Sequence, residues 1–242
     1  MSNSQQYDAI VIGSGQGGTP LSIALAEAGI HTALIERKHV GGTCINEGCT
    51  PTKTMVASGR VAYLARRATD YGVHTGPISI DMKRIRQRKR NIVESFRGGG
   101  EKRIRSTQNL DLIAGEASFS GPKTLIVKLS DGTSRSVSAT RIFINAGARA
   151  SRPKLDGLES VHFLDNVSVM ELDSVPDHLL ILGGGYIGLE FGQLFRRFGS
   201  RVTIVQSGKQ LLTREDPDVA EEILKILRED GIDIILNGDL ES

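Results

Sequence analysis

The 242-residue sequence has no tryptophan, only two cysteines and five histidines. A zinc site needs about four ligands, and no second Cys/His pair accompanies Cys44 and Cys49, so a metal site is not expected. Net charge is only +2, which gives no global reason to expect nucleic acid or an anionic membrane as partner. No apolar run reaches the roughly 18 residues of a membrane span. Residues 1–7 lack the basic-then-apolar pattern of a signal peptide, so the expected setting is the reducing cytoplasm, where a purely structural disulfide is out of place. What is abundant is glycine, at 28 residues, which suits tight turns and close backbone approach to ligands.

Both cysteines fall in one stretch, Gly41-Gly42-Thr43-Cys44-Ile45-Asn46-Glu47-Gly48-Cys49-Thr50-Pro51-Thr52-Lys53. On a regular helix their Cα atoms would stand roughly 8 Å apart, beyond the reach of about 7 Å that a disulfide allows. If the sulfurs are to bond, the segment is not one helix. Gly48 can bend the chain, and Pro51 suits a first helical turn. The reading places Cys44 in a turn and Cys49 at the start of a helix running to about Ala65. A helix N-terminus favours an anion and so favours a thiolate. Two inert core cysteines remain the plainer alternative.

Two further segments share one pattern. The strand Tyr7–Ile12 leads into Gly13-Ser14-Gly15-Gln16-Gly17-Gly18, then a helix Leu21–Ala28, then a strand 32–35 ending in Glu36. This is the dinucleotide fingerprint in its full context. Gly13 permits the turn, Gly15 the approach of a pyrophosphate at the helix N-terminus, and Gly18 close packing of helix on strand. Glu36 would accept hydrogen bonds from a ribose. Later, Leu179–Leu182, then Gly183-Gly184-Gly185-Tyr186-Ile187-Gly188, a helix through Phe198 and a strand 201–205 repeat the pattern. Here Gln206 stands where an acid is expected. An acid would favour NADH by binding the 2′-hydroxyl and repelling a 2′-phosphate; Gln206 repels nothing and Lys209 is near, so the balance leans to NADPH, with NADH open.

Between the fingerprints, residues 83–105 carry ten Lys/Arg and two Glu. Apolar Ile85, Ile92, Val93 and Phe96 form a plausible buried stripe, so the charges read as a solvated helix face rather than a nucleic-acid site. Gly98-Gly99-Gly100 predicts a break or kink. Asp111–Phe119 reads as a strand and bend. Leu125–Leu129 and Ser134–Ala139 flank an Asp131-Gly132 hairpin turn, and 141–148 reads as a separate buried strand. Helix residues Ile187, Phe191, Leu194, Phe195 and Phe198 form another apolar stripe with Glu190 beside it. Arg152-Pro153 to Gly157 reads as a linker, Glu215–Asp230 as an amphipathic helix and Gly231–Leu236 as a strand.

The cysteine segment resembles the redox-active segment of the flavin-dependent pyridine nucleotide-disulfide oxidoreductases, most closely the dihydrolipoamide dehydrogenase and mercuric reductase branch, because Lys53 follows Cys49 by four places. The resemblance implies an α/β fold of two tandem doubly wound, Rossmann-like domains. Residues 1–152 would bind FAD and carry the redox pair; 153–242 would be a partial NAD(P)-binding domain. Electrons would pass from NADPH or NADH through FAD to a Cys44–Cys49 disulfide, then to a small-molecule or protein disulfide or a metal ion. Cys49 would be the flavin-side sulfur, Cys44 the sulfur that attacks substrate, and Lys53, paired with Glu190, would lie near the reactive flavin nitrogen. The same resemblance assigns FAD contacts to Gly13, Gly15, Gly17, Gly18, Glu36, Arg37, Gly42, Thr43, Lys53, Ala117, Ala146 and Gly147. It assigns nicotinamide-dinucleotide contacts to Gly183, Gly185, Tyr186, Ile187, Gly188 and Gln206. Asn145 and Ala146 depart from the commoner Ala-Thr, and Glu47 from the commoner Val or Ile. Family members continue into a further domain that carries a His–Glu acid/base pair and forms a homodimer. None of the five histidines fits that motif, so the expectation is an N-terminal portion of a longer enzyme. The alternatives are a flavin-binding fragment without turnover and a flavin monooxygenase, which would have no use for the cysteines.

Overall fold

The computed structural model describes residues 4–152 and 155–238. In chain order its elements are β1 (Gln5–Ile12), α1 (Gly18–Glu27), β2 (Thr32–Glu36), α2 (Gly42–Asn46), α3 (Cys49–Arg66), α4 (Met82–Ser106), β3 (Leu110–Gly121), β4 (Thr124–Leu129) and β5 (Ser134–Ile144). There follow β6 (His178–Leu182), α5 (Tyr186–Phe198), β7 (Arg201–Gln206), α6 (Pro217–Glu229) and β8 (Asp233–Leu236). Two compact units emerge: residues 1–51 with 90–149, and residues 52–89 with 150–242. Residues 52–89 group with the second unit. The linker expected over 152–157 includes Pro153 and Lys154, which lie outside the described residues. Among the described residues no helix is long and apolar enough to cross a membrane.

In the first unit β3, β2, β1 and β5 lie side by side in parallel, with Ile12 opposite both Ile35 and Ile144, and Glu36 opposite Ala114. The far half of β3 and the near half of β5 then pair antiparallel with β4, which closes the five strands into a barrel. The predicted hairpin strand at 134–139 and the predicted strand from 141 are therefore one strand, β5. Its end is not buried as expected: Ile142 and Phe143 are half-buried and Ile144 exposed. Alternation along the strands divides two apolar layers. Tyr7, Ile10, Ile35, Leu125 and Val137 fill one, whereas Val11 and Leu34 pack with Ile23 of α1 and Ile104 of α4 in the other.

The second unit is a parallel sheet in the order β6-β7-β8. The strands are connected by α5 and α6, as parallel neighbours require. Phe191, Leu194, Phe195 and Phe198 of α5 pack with Val202, Ile204 and Leu227. The opposite sheet face presents Leu180, Leu182 and Ile235.

Two expectations for α4 are overturned. The helix runs unbroken through Gly98–Gly100. Each glycine costs about 1 kcal/mol against alanine, whereas burying Val93 and Ile104 on either side contributes roughly 1.5–3 kcal/mol apiece, so packing wins. Phe96 is 57% exposed and is not part of the buried face. Lys89 takes a buried position instead, at 4% exposure. Its Nζ donates to Met170 O at 3.0 Å and pairs with the Glu171 carboxylate, which is what makes burial of the cation tolerable.

Candidate functional site

Cys44 sits in the one-turn helix α2, not in the turn expected for it, and Cys49 begins α3. Both are thiols here, Cys44 half-buried and Cys49 exposed. The chain doubles back between them at Gly48, where an added Cβ would lie 3.0 Å from Thr43 O and 3.4 Å from the Cα of Cys44. The entry to α2 also requires glycine. Gly42 has φ +61°, and a Cβ on it would stand 2.5 Å from the Cα of Gly15. Asn46 holds the short helix in place: its Nδ2 donates to Val40 O at 3.0 Å and to Gly42 O at 2.9 Å, while Arg97 Nε of α4 donates to its Oδ1 at 2.9 Å. Thr43 is exposed.

The first glycine loop is closed on Glu36 by Ser14, which the sequence did not single out. Ser14 is fully buried. Its N–H and its hydroxyl both donate to Glu36 Oε2, at 3.0 and 2.7 Å, and its Oγ accepts from Gly41 N at 3.1 Å. One serine therefore ties the loop to the end of β2 and to the start of the cysteine segment. Burial works against the Glu36 carboxylate, but the hydrogen bonds from Lys38 N, from Ser14 and from Arg37 N outweigh it and hold its pKa below the usual range. Asn145, the departure noted above, donates from Nδ2 to Gly13 O at 3.1 Å. A Cβ on Gly13 would fall 2.3 Å from Asn145 O, and one on Gly18 only 1.9 Å from Gly13 O. Arg37 pairs with Glu116 at 3.4 Å, next to Ala117 on β3. Ala146 and Gly147 follow β5 and are exposed, Gly147 at φ +71°.

The second loop repeats the construction. Gly183 has φ +101° and donates to Val205 O at 2.8 Å. A Cβ on Gly188 would meet Gly183 O at 2.5 Å, while Gly183 and Gly185 face open space. Gly184 N donates to Gln206 Oε1 at 2.7 Å. Tyr186 opens α5 and is largely exposed. Its hydroxyl donates to the Glu215 carboxylate, which pushes the phenol pKa up. Ile187 does not join the buried stripe as expected; it is 62% exposed, whereas Leu189 of the same turn is buried and Gly188 is the residue that lies against Ile181 of β6. Glu190 pairs with Lys53, and both line a cleft of about 440 Å³ with Tyr186, Gln193, Arg197 and Leu212.

Each loop suits a dinucleotide pyrophosphate. Neither α1 nor α5 has an acid in its own first turn, so neither helix places a carboxylate of its own against a phosphate at its positive end. Among the described residues no cluster of three His, Cys, Asp or Glu is placed to hold a metal ion.

The comparisons with known proteins agree with this geometry. Residues 7–241 match the family described as pyridine nucleotide-disulphide oxidoreductase. A mercuric reductase of Bacillus cereus is 35% identical over 97% of this chain, which spans 36% of that protein. The probable pyridine nucleotide-disulfide oxidoreductase RclA of Escherichia coli K12 is 38% identical over 98% of this chain, which spans 50% of its length. A solved structure described as the Cu(II) complex of HOCl-induced flavoprotein disulfide reductase RclA from Escherichia coli superposes with a TM-score of 0.85 at 37% identity, covering 98% of this chain and 50% of its own. The chain thus spans about a third to a half of these relatives. Family members use FAD and NAD(P)H, and the α/β fold with two fingerprint loops is theirs. The chain belongs to the pyridine nucleotide-disulphide oxidoreductase family.

Proposed function

We propose that these residues carry the reductive half of a flavin-dependent disulfide oxidoreductase, in which electrons from NAD(P)H reach the Cys44–Cys49 pair by way of FAD. The observation that carries the reading is the cysteine segment folded against the first glycine loop, with Gly42 on Gly15 and Gly41 held by Ser14. Gly13, Gly15, Gly17, Gly18, Glu36 and Arg37 would hold FAD together with Gly42, Thr43, Ala117, Ala146 and Gly147. Gly183, Gly185, Tyr186, Ile187, Gly188 and Gln206 would hold the nicotinamide dinucleotide. When bound, FAD supplies the relay between a hydride donor and sulfur.

The chain's own residues do the rest. Lys53, held by Glu190, would supply a cation to offset the negative charge of a reduced flavin. Once reduced, the Cys44 thiolate attacks one sulfur of an acceptor disulfide. The other acceptor sulfur leaves and takes a proton. The Cys49 thiolate then attacks the Cys44 sulfur, which closes the Cys44–Cys49 disulfide and releases the second acceptor thiol. Two electrons have left the pair. A soft metal ion is the other acceptor class that thiolates suit, in keeping with the names of the mercuric reductase and the Cu(II) complex. A homodimer in the cytoplasm, with no nucleic acid or membrane partner, completes the proposal. Because the chain spans about half of its relatives or less, complete turnover by it alone is not part of the proposal; a flavin-binding fragment that reduces its own cysteines is the narrower form.

Anaerobic titration of the FAD-loaded protein with NADPH or NADH, followed by visible absorbance, tests the reading. Two-electron reduction with a long-wavelength band that is lost in Cys49→Ser is expected. A spectrum that Cys44→Ser and Cys49→Ser leave unchanged would remove the cysteines from the pathway.

A further inference from the structure

One cation of the second unit is buried further than its partners justify. Arg197, in the last turn of α5, has a side chain only 20% exposed, and among the described residues its Nε has no acceptor. The carboxylate it faces, Asp230, lies 3.7 Å from Nη2, and the same oxygen already accepts from Gln193 Nε2 at 2.7 Å. Otherwise the guanidinium stacks over the ring of Tyr63, 4.6 Å from its centroid. The carbonyls at the end of α5 are taken: those of Phe195 and Arg196 accept from the N–H groups of Gly199 and Ser200, and that of Arg197 accepts from Arg66. A guanidinium carries five N–H donors, and burying a charge without hydrogen bonds is costly. The surroundings add to the cost. Arg66, Arg67, Arg196 and Arg197 gather at this end of the helix, where two carboxylates, Asp70 and Asp230, pair with them.

Arg197 also lines the cleft of about 440 Å³ that holds Lys53 and Glu190. From Tyr186 to Arg197 the cleft follows about 16 Å of α5. Its walls are apolar, with Val56 from α3, Leu194 from α5, and Ile223, Ile226 and Leu227 from α6. Beside it α3 and α5 touch, since a Cβ on Gly59 would fall 2.8 Å from Leu194. All of these residues belong to the second unit. A dinucleotide does not account for the Arg197 end, because its pyrophosphate belongs at the opposite, positive end of α5.

We propose that this end of the cleft binds an amphipathic monocarboxylate, its apolar body lying between α5 and α6 and its carboxylate paired with Arg197. Apolar burial supplies the affinity, and the planar guanidinium fork matches a carboxylate and fixes the orientation. The volume suits a small organic ligand. The site stands whether or not the cysteines take part in electron transfer.

The test is calorimetric titration of the purified protein with decanoate, decylammonium and decanol, each below its micellar concentration. Decanoate should saturate one site and bind about tenfold or more tighter than the other two. Arg197→Gln should weaken decanoate about tenfold, the scale of a lost hydrogen bond to a charged group, and leave decanol unchanged. Ile226→Gln should also weaken decanoate; at 41% exposure the position tolerates the change, so the test survives if Arg197→Gln fails to fold. Equal binding of the three probes, binding that does not saturate, or folded variants that bind decanoate like the wild type would each overturn the proposal. Sedimentation checks the other occupant. Self-association that Ile226→Gln abolishes, without decanoate binding, would give the cleft to a second copy of the chain and overturn the proposal as well.

Discussion

Ser14→Ala removes one hydroxyl from the point where the first glycine loop, β2 and the cysteine segment meet. The hydroxyl donates to Glu36 at 2.7 Å and accepts from Gly41 N at 3.1 Å. The second loss is small, because Gly41 N also reaches Ser14 O at 3.2 Å. The first is a bond to a charged acceptor, worth roughly 1.5–3 kcal/mol, and half-exposure of Glu36 puts it at the lower end. The expected cost is about 1.5 kcal/mol at pH 7. The cost should also depend on pH. Glu36 has a lowered folded pKa, so its contribution is present above the unfolded value of about 4.3 and is lost as pH falls through the folded value. Without the hydroxyl that folded value rises, so the gap between wild type and variant should narrow in acid. Urea unfolding at pH 7 and again near pH 4 measures both quantities. A cost under about 0.5 kcal/mol at pH 7, the scale of an ordinary surface change, or a gap that does not narrow in acid, would refute the assignment of Ser14 as the closing group.

Other substitutions separate packing from chemistry. Gly98→Ala and Gly99→Ala should each stabilise the protein by about 0.5–1 kcal/mol, since both are helical and an added Cβ meets nothing within 4 Å; chemical denaturation checks this. Gly42→Ala should instead destabilise, and weaken FAD retention, because it combines a positive φ with a Cβ 2.5 Å from Gly15; the flavin-to-protein absorbance ratio reads the loss. Ile104→Ala should cost about 2–5 kcal/mol from a fully buried position, measured by thermal unfolding. Glu190→Gln should change stability by less than about 1 kcal/mol, as its pair with the largely exposed Lys53 is of the surface kind, while shifting the visible spectrum of bound flavin.

Much of this architecture is legible in the sequence because it is written in backbone requirements. Gly13, Gly18 and Gly188 occupy places that no Cβ could share, so the fingerprints, their strands and their helices can be read with little ambiguity. The start of α3 at Cys49 is legible for the same kind of reason, with Gly48 and Pro51 bracketing it. Tertiary effects are what escape local reading. Three successive glycines look like a break, and only the burial of Val93 and Ile104 keeps α4 whole. Phe96 looks like core and Lys89 like surface until Met170 O and Glu171 are seen to receive the ammonium. Closure of the barrel depends on β3 and β5 each changing partners midway, which no periodicity reveals. In the candidate site, Ser14 carries no signal beyond lying between two glycines, and Asn145 registered only as a departure, although it braces Gly13.

The account turns on electrons reaching the two cysteines. Oxidise the protein mildly, add FAD and NADPH under anaerobic conditions, trap the thiols with an alkylating agent, and measure the Cys44–Cys49 cross-linked peptide by mass spectrometry. The account predicts that the cross-link forms on oxidation and that both cysteines become alkylated only when FAD and NADPH are present together. A cross-link that persists while the flavin is fully reduced would contradict it.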